Sequence, residues 1–118
     1  MARMAVSFAV SFVLAAVFAL VPSGAYAHAP SLVDVSMTDS GRVQVVVTHA
    51  VGSPKTHYIY KFEVFVNGEK VEEKEYKEQV GNQQVDSFGL AGLKAGDKVA
   101  VRAYCIRGGD RIGELTVE

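Results

Sequence analysis

The chain has 118 residues, with 12 basic and 13 acidic side chains and a formal net charge of −1. A nucleic-acid-binding domain shows a strongly basic face, so this balance argues against nucleic acid as a partner. The single cysteine cannot form an internal disulfide, so stability must come from an apolar core, for which the length allows one small domain.

Residues 1–27 have the pattern of a signal peptide. Arg3 precedes a long apolar run, and a proline interrupts that run shortly before the small residues Ala25 and Ala27. A membrane anchor is the alternative, because the run nears the ~20 residues that span a bilayer. The helix breaker and the cleavage triplet favour removal. We therefore predict an exported, periplasmic or extracellular protein that begins at His28 and meets the membrane only before cleavage.

Residues 28–118 have the pattern of successive short β-strands. Most segments alternate apolar and polar residues and are rich in Val, Ile, Tyr and Phe. Asn67 and Gly68 predict a tight hairpin turn, because both positions require positive φ. Seven strands at this spacing predict an all-β domain, either an immunoglobulin-like antiparallel sandwich or a small barrel. The predicted strands are 31–37, 42–49, 57–67, 69–76, 84–90, 98–105 and 111–117.

The segment 69–76 has the composition of a helix but the alternation of a strand. It directly follows the predicted Asn-Gly turn, and Val71, Glu73 and Glu75 recur at every second position. We predict a solvated edge strand, whose charges discourage pairing with other chains.

Metal-binding side chains lie at the ends of two predicted strands. His49 continues the inward-facing series of the second strand, and Cys105 continues that of the sixth. His57 opens the third strand after a short loop. Imidazole and thiolate together suit iron, copper or zinc. The pattern predicts a metal site of His28, His49, His57 and Cys105, against the alternative of a buried apolar cysteine and solvated histidines.

His28 offers a second donor group. If cleavage follows Ala27, the free α-amine of His28 lies next to its own imidazole. The two groups can then chelate one ion, a pairing that copper favours. The alternative is a frayed terminus without a ligand role.

Three segments match, in order, the pattern of a known family. They are HAPSLVDV, THYIYKFEVFVNGEKV and RAYCIRGGDRIGELTVE. The segments resemble the His-Val-Pro start, the Glu-His-Tyr-Ile segment and the Tyr-Cys-x-x-His-Gly-x-x-x-Gly-Glu end of the superoxide reductases, the iron domain of neelaredoxin and desulfoferrodoxin. The matching residues are His28 and Pro30, then His57, Tyr58 and Ile59, and finally Tyr104, Cys105, Gly109, Gly113 and Glu114.

The resemblance implies a mononuclear non-haem iron site. In that family, imidazoles surround ferrous iron in a plane, a cysteine thiolate lies on the axis, and superoxide takes the open position. Cys105 matches the axial thiolate, and His57 and His28 match two imidazoles. Lys55 is the only candidate for the family's active-site lysine.

The chain departs from that pattern at two ligand positions. Gly108 and Val51 occupy places where the family has histidines. His49 is the candidate substitute for the histidine that the family has at the place of Val51.

The sequence therefore supports three hypotheses about function. The first is an exported superoxide-reductase-like protein that reduces superoxide to peroxide, with an electron donor that the sequence does not identify. The second is a non-catalytic copper- or iron-binding module. The third, suggested by AGDKVAV at 95–101, is a SoxZ-like partner subunit of sulfur-oxidation complexes. A homo-oligomer is compatible with each hypothesis. The sequence contains neither a phosphate-binding loop nor a Ser-His-Asp set in the context of a hydrolase.

Overall fold

A computed structural model describes residues 28–118, and the predicted signal peptide lies outside the described residues. This part of the chain forms seven β-strands. Its residues form no helix long and apolar enough to cross a membrane. The strands are β1 (Leu32–Met37), β2 (Val43–Thr48), β3 (Ile59–Val66), β4 (Glu69–Glu75), β5 (Gln83–Phe88), β6 (Lys98–Cys105) and β7 (Asp110–Thr116).

The strands form two antiparallel sheets. One sheet has the order β1-β2-β5, and the other has the order β4-β3-β6-β7. The prediction of an all-β fold is confirmed. Because the strands divide into two separate sheets, the domain is a sandwich rather than a closed barrel.

Valine and aromatic side chains fill the space between the sheets. Phe62 of β3 packs against the rings of Tyr76 and Phe88, at centroid distances of 5.0 and 6.4 Å. Full burial of a valine or phenylalanine contributes about 1.5–3 kcal/mol, so this interior supplies the stability that a disulfide would otherwise add. The fully buried valines of β2 and β6 are Val43, Val45, Val47, Val99 and Val101.

The β3–β4 hairpin has the predicted turn and the predicted edge. Asn67 and Gly68 have φ values of 52° and 88°, as the Asn-Gly pattern requires. Strand β4 lies at the edge of its sheet, and all its residues are exposed. The prediction of a solvated edge strand is therefore confirmed.

Strand β3 begins two residues later than predicted, at Ile59 instead of His57. The residues before it form a turn, because the backbone N–H of His57 donates to the carbonyl of Ser53 at 2.8 Å. This N–H is therefore bonded within the turn and not to a neighbouring strand. His57 therefore lies in the loop between β2 and β3, at the end of the sandwich where His49 also lies.

Candidate metal centre

Three imidazole rings converge at one end of the sandwich. The ring centroids of His28, His49 and His57 are 4.6, 4.9 and 5.0 Å apart. One ligand nitrogen from each ring lies within 4.8 Å of the other two. Nitrogens that are each ~2.0–2.1 Å from one ion are themselves about 3–4 Å apart. Small ring rotations therefore suffice for the group to hold a metal ion.

Different elements of the fold bring each histidine to this place. His49 follows β2, and its backbone N–H donates to the carbonyl of Asn82 at 2.8 Å. His57 closes the turn that begins at Ser53. His49 and His57 are buried, with 0% and 7% of their surface exposed, whereas His28 is exposed. The group is therefore closed by protein on one side and open to solvent on the side of His28.

The chain that follows His28 is firmly anchored. Pro30 is fully buried, and its carbonyl accepts a hydrogen bond from Nε of Arg111 at 2.6 Å. The backbone N–H of Ser31 donates to the carbonyl of Thr48 at 2.9 Å. These contacts fix where His28 enters the group.

Gln79 holds His49 in place from both sides. Its side-chain oxygen accepts from Nδ1 of His49 at 3.0 Å and from the backbone N–H of Ile59 at 2.9 Å. Its side-chain nitrogen donates to the carbonyls of His49, at 2.7 Å, and Gly81, at 3.0 Å. The Ile59 donor and the two carbonyl acceptors fix the orientation of the amide, which in turn requires that Nδ1 of His49 carries the proton.

The hydrogen bonds of His49 and His28 each leave a lone pair on the other nitrogen of the ring. With the proton of His49 on Nδ1, its Nε2 has a free lone pair. Within residues 28–118, Nε2 of His49 and Nε2 of His57 are the buried side-chain polar atoms without a hydrogen-bond partner. Nε2 of His28 donates to the carbonyl of Ala50 at 3.2 Å, so the lone pair of that ring is on Nδ1. His49 and His28 thus each offer an unprotonated nitrogen, and Nε2 of His57 has no protein partner.

Burial disfavours the charged form of His57. The pKa of His57 lies below its ordinary value of 6.5, first because of burial and then because of the nearby charges of His49, Arg107 and His28. Neutral imidazole is the form that binds metals, so the fold favours the metal-binding state.

Cys105 lies beside the group and not within it. It ends β6 opposite Ile59 of β3, and it is 3% exposed. Its Sγ accepts a hydrogen bond from the backbone N–H of Arg107 at 3.4 Å. The backbone N–H of Ile106 donates to the carbonyl of Tyr58 at 3.0 Å. The set of ligand atoms within 4.8 Å of one another contains the histidines and not this sulfur. A ligand role for Cys105 stays a prediction.

Lys55, the predicted catalytic residue, is exposed in the turn that leads to His57. The turn is closed by the N–H groups of Thr56 and His57, which both donate to the carbonyl of Ser53. Its ammonium group lies outside the hydrogen-bond network of the histidines. Its catalytic role also stays a prediction.

Two buried glutamines at this end of the molecule were not predicted from the sequence. Gln79 and Gln84 are 3% and 6% exposed. Gln84 donates to the carbonyls of Ile59 at 2.9 Å and Glu78 at 2.8 Å, so the two glutamines bind both backbone groups of Ile59. The run QVGNQQ, which is uncharged beside the acidic β4 segment, is the signal that could have drawn attention to them.

The chain matches no protein-family model and no curated protein sequence. Among solved structures it is similar to a superoxide reductase (neelaredoxin) from Ignicoccus hospitalis, with 18% sequence identity and a TM-score of 0.44. The alignment covers 81% of this chain and 85% of that chain.

Proposed function

We propose that the chain is an exported protein that binds one redox-active metal ion through His28, His49 and His57 and uses it to reduce superoxide. The observation that carries the proposal is the pair of buried imidazole nitrogens without partners, on His49 and His57. An unsatisfied buried polar atom costs about 1–3 kcal/mol. A cation that accepts both lone pairs accounts for their placement.

The sequence resemblance supports non-haem iron as this ion. Three segments match superoxide reductases in the same order, and within this proposal Cys105 supplies a thiolate ligand. A backbone N–H already donates to its Sγ, as suits a sulfur that carries negative charge. Ferrous iron held by these residues would supply one electron to superoxide, which would take two protons from water to give hydrogen peroxide. An external one-electron reductant would return the ferric ion to the ferrous state.

The protein side chains select and admit the substrate. Lys55 places a positive charge in the turn leading to His57, which draws the small superoxide anion toward the group. The exposed ring of His28 marks the side by which the anion enters. The buried rings of His49 and His57 keep bulk water from the other side.

The test is peroxide production by the exported protein loaded with ferrous iron. We expect superoxide consumption that requires a reductant and yields peroxide, and we expect His57→Gln to abolish it. Lys55→Ala should slow consumption without weakening iron binding, whereas the control Lys61→Ala, on the outer face of β3, should change neither. Cys105→Ser should remove the thiolate absorption band of the oxidised protein. Iron-loaded protein that consumes superoxide no faster than its spontaneous dismutation would contradict the proposal.

A copper-binding module without turnover is the second candidate function. The nitrogens that converge are those of three imidazoles, without the sulfur of Cys105. Copper(II) accepts such nitrogen sets and lies above iron(II) in the general order of affinities. Tight copper binding together with no superoxide consumption by either metal form would favour this candidate.

A further inference from the structure

The loop between β6 and β7 contains two consecutive glycines, and it passes along the backbone of His28. Gly108 and Gly109 have φ values of 107° and 94°, which other residues rarely adopt. A Cβ atom on Gly109 would lie 2.7 Å from the backbone nitrogen of Ala29 and 3.0 Å from the carbonyl carbon of His28. The loop therefore packs tightly against His28 but brings no donor atom to it.

The hydrogen bond of the His28 ring leaves the nitrogen closer to its own main chain free to bind a metal ion. Because a carbonyl oxygen only accepts, the contact between Nε2 and Ala50 leaves the lone pair on Nδ1. Nδ1 and the backbone nitrogen of the same residue can close a chelate ring on one ion. A neutral peptide nitrogen is a poor ligand, because its lone pair is delocalised into the carbonyl. A free amine keeps its lone pair and binds a metal ion more readily.

We propose that signal-peptide removal creates a fourth nitrogen ligand, the α-amine of His28, which binds the same ion as Nδ1 of that residue. Hydrolysis of the peptide bond between Ala27 and His28 consumes water and leaves a carboxylate on Ala27 and an amine on His28. The inference rests on the metal site of the proposed function and on cleavage after Ala27. The ligand class is a divalent transition-metal ion, and copper(II) is the sharper probe because four nitrogens suit its tetragonal geometry.

This arrangement makes metal loading depend on export. Before cleavage the site offers three nitrogens, those of the imidazoles, and afterwards it offers four, two of them on one anchored residue. The amine gives up its proton when the ion binds, because a protonated amine has no lone pair. The chain therefore gains its highest affinity only after the signal peptide is removed.

The experiment compares two forms of the protein with copper(II) as the probe. One is the exported protein, whose mass and amino-terminal residue are measured. The other retains residues 22–27 ahead of His28, so that the amine is moved far from the ring and the backbone nitrogen of His28 remains a peptide nitrogen. Thermal unfolding of both metal-free forms checks that the fold is the same.

We expect the extended form to bind copper(II) at least about 10-fold more weakly in a chelator competition, with its visible absorption shifted to longer wavelength. Equal affinities and identical spectra would overturn the inference, as would an exported protein that begins elsewhere. If His49→Leu then still abolishes binding in both forms, the proposed metal site stands without the amine. If neither form binds copper or iron, the metal site and the inference fall together.

Discussion

Two polar clusters of this small sandwich have opposite hydrogen-bond balances. On the outer face of the four-stranded sheet, Glu63 accepts from the hydroxyl of Tyr104 and from Nζ of Lys70 at 3.1 Å. Arg102 donates to Asp110 at 2.8 Å on the same face. These groups satisfy one another. In the histidine group, by contrast, buried nitrogens lack any protein partner.

The difference separates a structural cluster from a ligand site. Both clusters contain several ionisable side chains, so the number of ionisable side chains alone does not distinguish the two clusters. A cluster that satisfies its own polar atoms is complete without a ligand. Within the proposed function, a cation that accepts the lone pairs completes the histidine group.

The largest effect is expected for His49→Leu. The variant removes a ligand nitrogen while keeping an apolar side chain in a fully buried position. We expect metal affinity to fall more than about 100-fold, beyond the loss typical of a supporting residue. Chelator competition with copper(II) and iron(II) measures it. The variant also loses the hydrogen bond from Nδ1 to Gln79, but the side-chain oxygen of Gln79 keeps the N–H of Ile59. The metal-free variant should therefore lose only about 1 kcal/mol of stability. A variant that binds metal as tightly as the parent would remove His49 from the site.

A smaller loss of affinity is expected for Gln79→Leu. This variant leaves Nδ1 of His49 and the N–H of Ile59 without their acceptor, at a cost of about 1–3 kcal/mol for each buried group. Without its partner the ring of His49 loses its fixed orientation, which should weaken metal binding about 10–100-fold.

Gln79→Glu is the matched control for the role of Gln79. It keeps an acceptor for His49 and Ile59 and loses the donors to the carbonyls of His49 and Gly81. We expect it to regain most of the metal affinity but only part of the stability, as measured by copper(II) competition and thermal unfolding. Equal affinity in both variants would mean that Gln79 supports the fold alone.

The fold was accessible from the sequence because its strands alternate in a regular way. Side-chain parity correctly placed Cys105 on an inward face, because parity depends on local spacing alone. The start of β3 was not accessible, since a hydrogen bond to Ser53 draws His57 into a turn. That hydrogen bond depends on the conformation of the loop, and a loop conformation leaves no repeating pattern in the sequence.

The site was accessible in part. Strand parity pointed to His49, but the role of Gln79 depends on hydrogen bonds to residues 20 and 30 positions away in the chain. No local pattern encodes such contacts. The φ of 107° at Gly108 shows why a histidine at that position would be strained. A glycine in the sequence permits such a value but does not establish it.

The pH dependence of stability should separate the two clusters. The pKa of His57 is lowered in the folded protein, so below its ordinary value of 6.5 the unfolded chain takes up the proton first. The metal-free protein should therefore lose stability as the pH falls from 6.5 through the lowered pKa of His57. The pKa of Glu63 is lowered from 4.5, mainly by the Tyr104 hydroxyl, so its contribution is lost only below pH 4.5.

Urea unfolding at a series of pH values measures both declines. His57→Gln should remove the decline that begins near pH 6.5 and leave the decline below pH 4.5 unchanged. If the parent is equally stable at pH 7 and pH 5, His57 is not held neutral by the fold, and the contrast between the clusters weakens.

The smallest effect is expected for Tyr104→Phe on the outer face. The hydrogen bond to Glu63 raises the pKa of Tyr104 to about 12, and the hydroxyl is the main cause of the lowered pKa of Glu63. Its loss should cost about 1 kcal/mol, which corresponds to roughly 4–8 °C in a domain of this size. Because Tyr104 points away from the side of the sheet that carries Cys105, copper(II) and iron(II) affinities should not change. A change in metal affinity comparable to that of Gln79→Leu would show that the outer face and the histidine group are coupled, and that the two clusters are parts of one site.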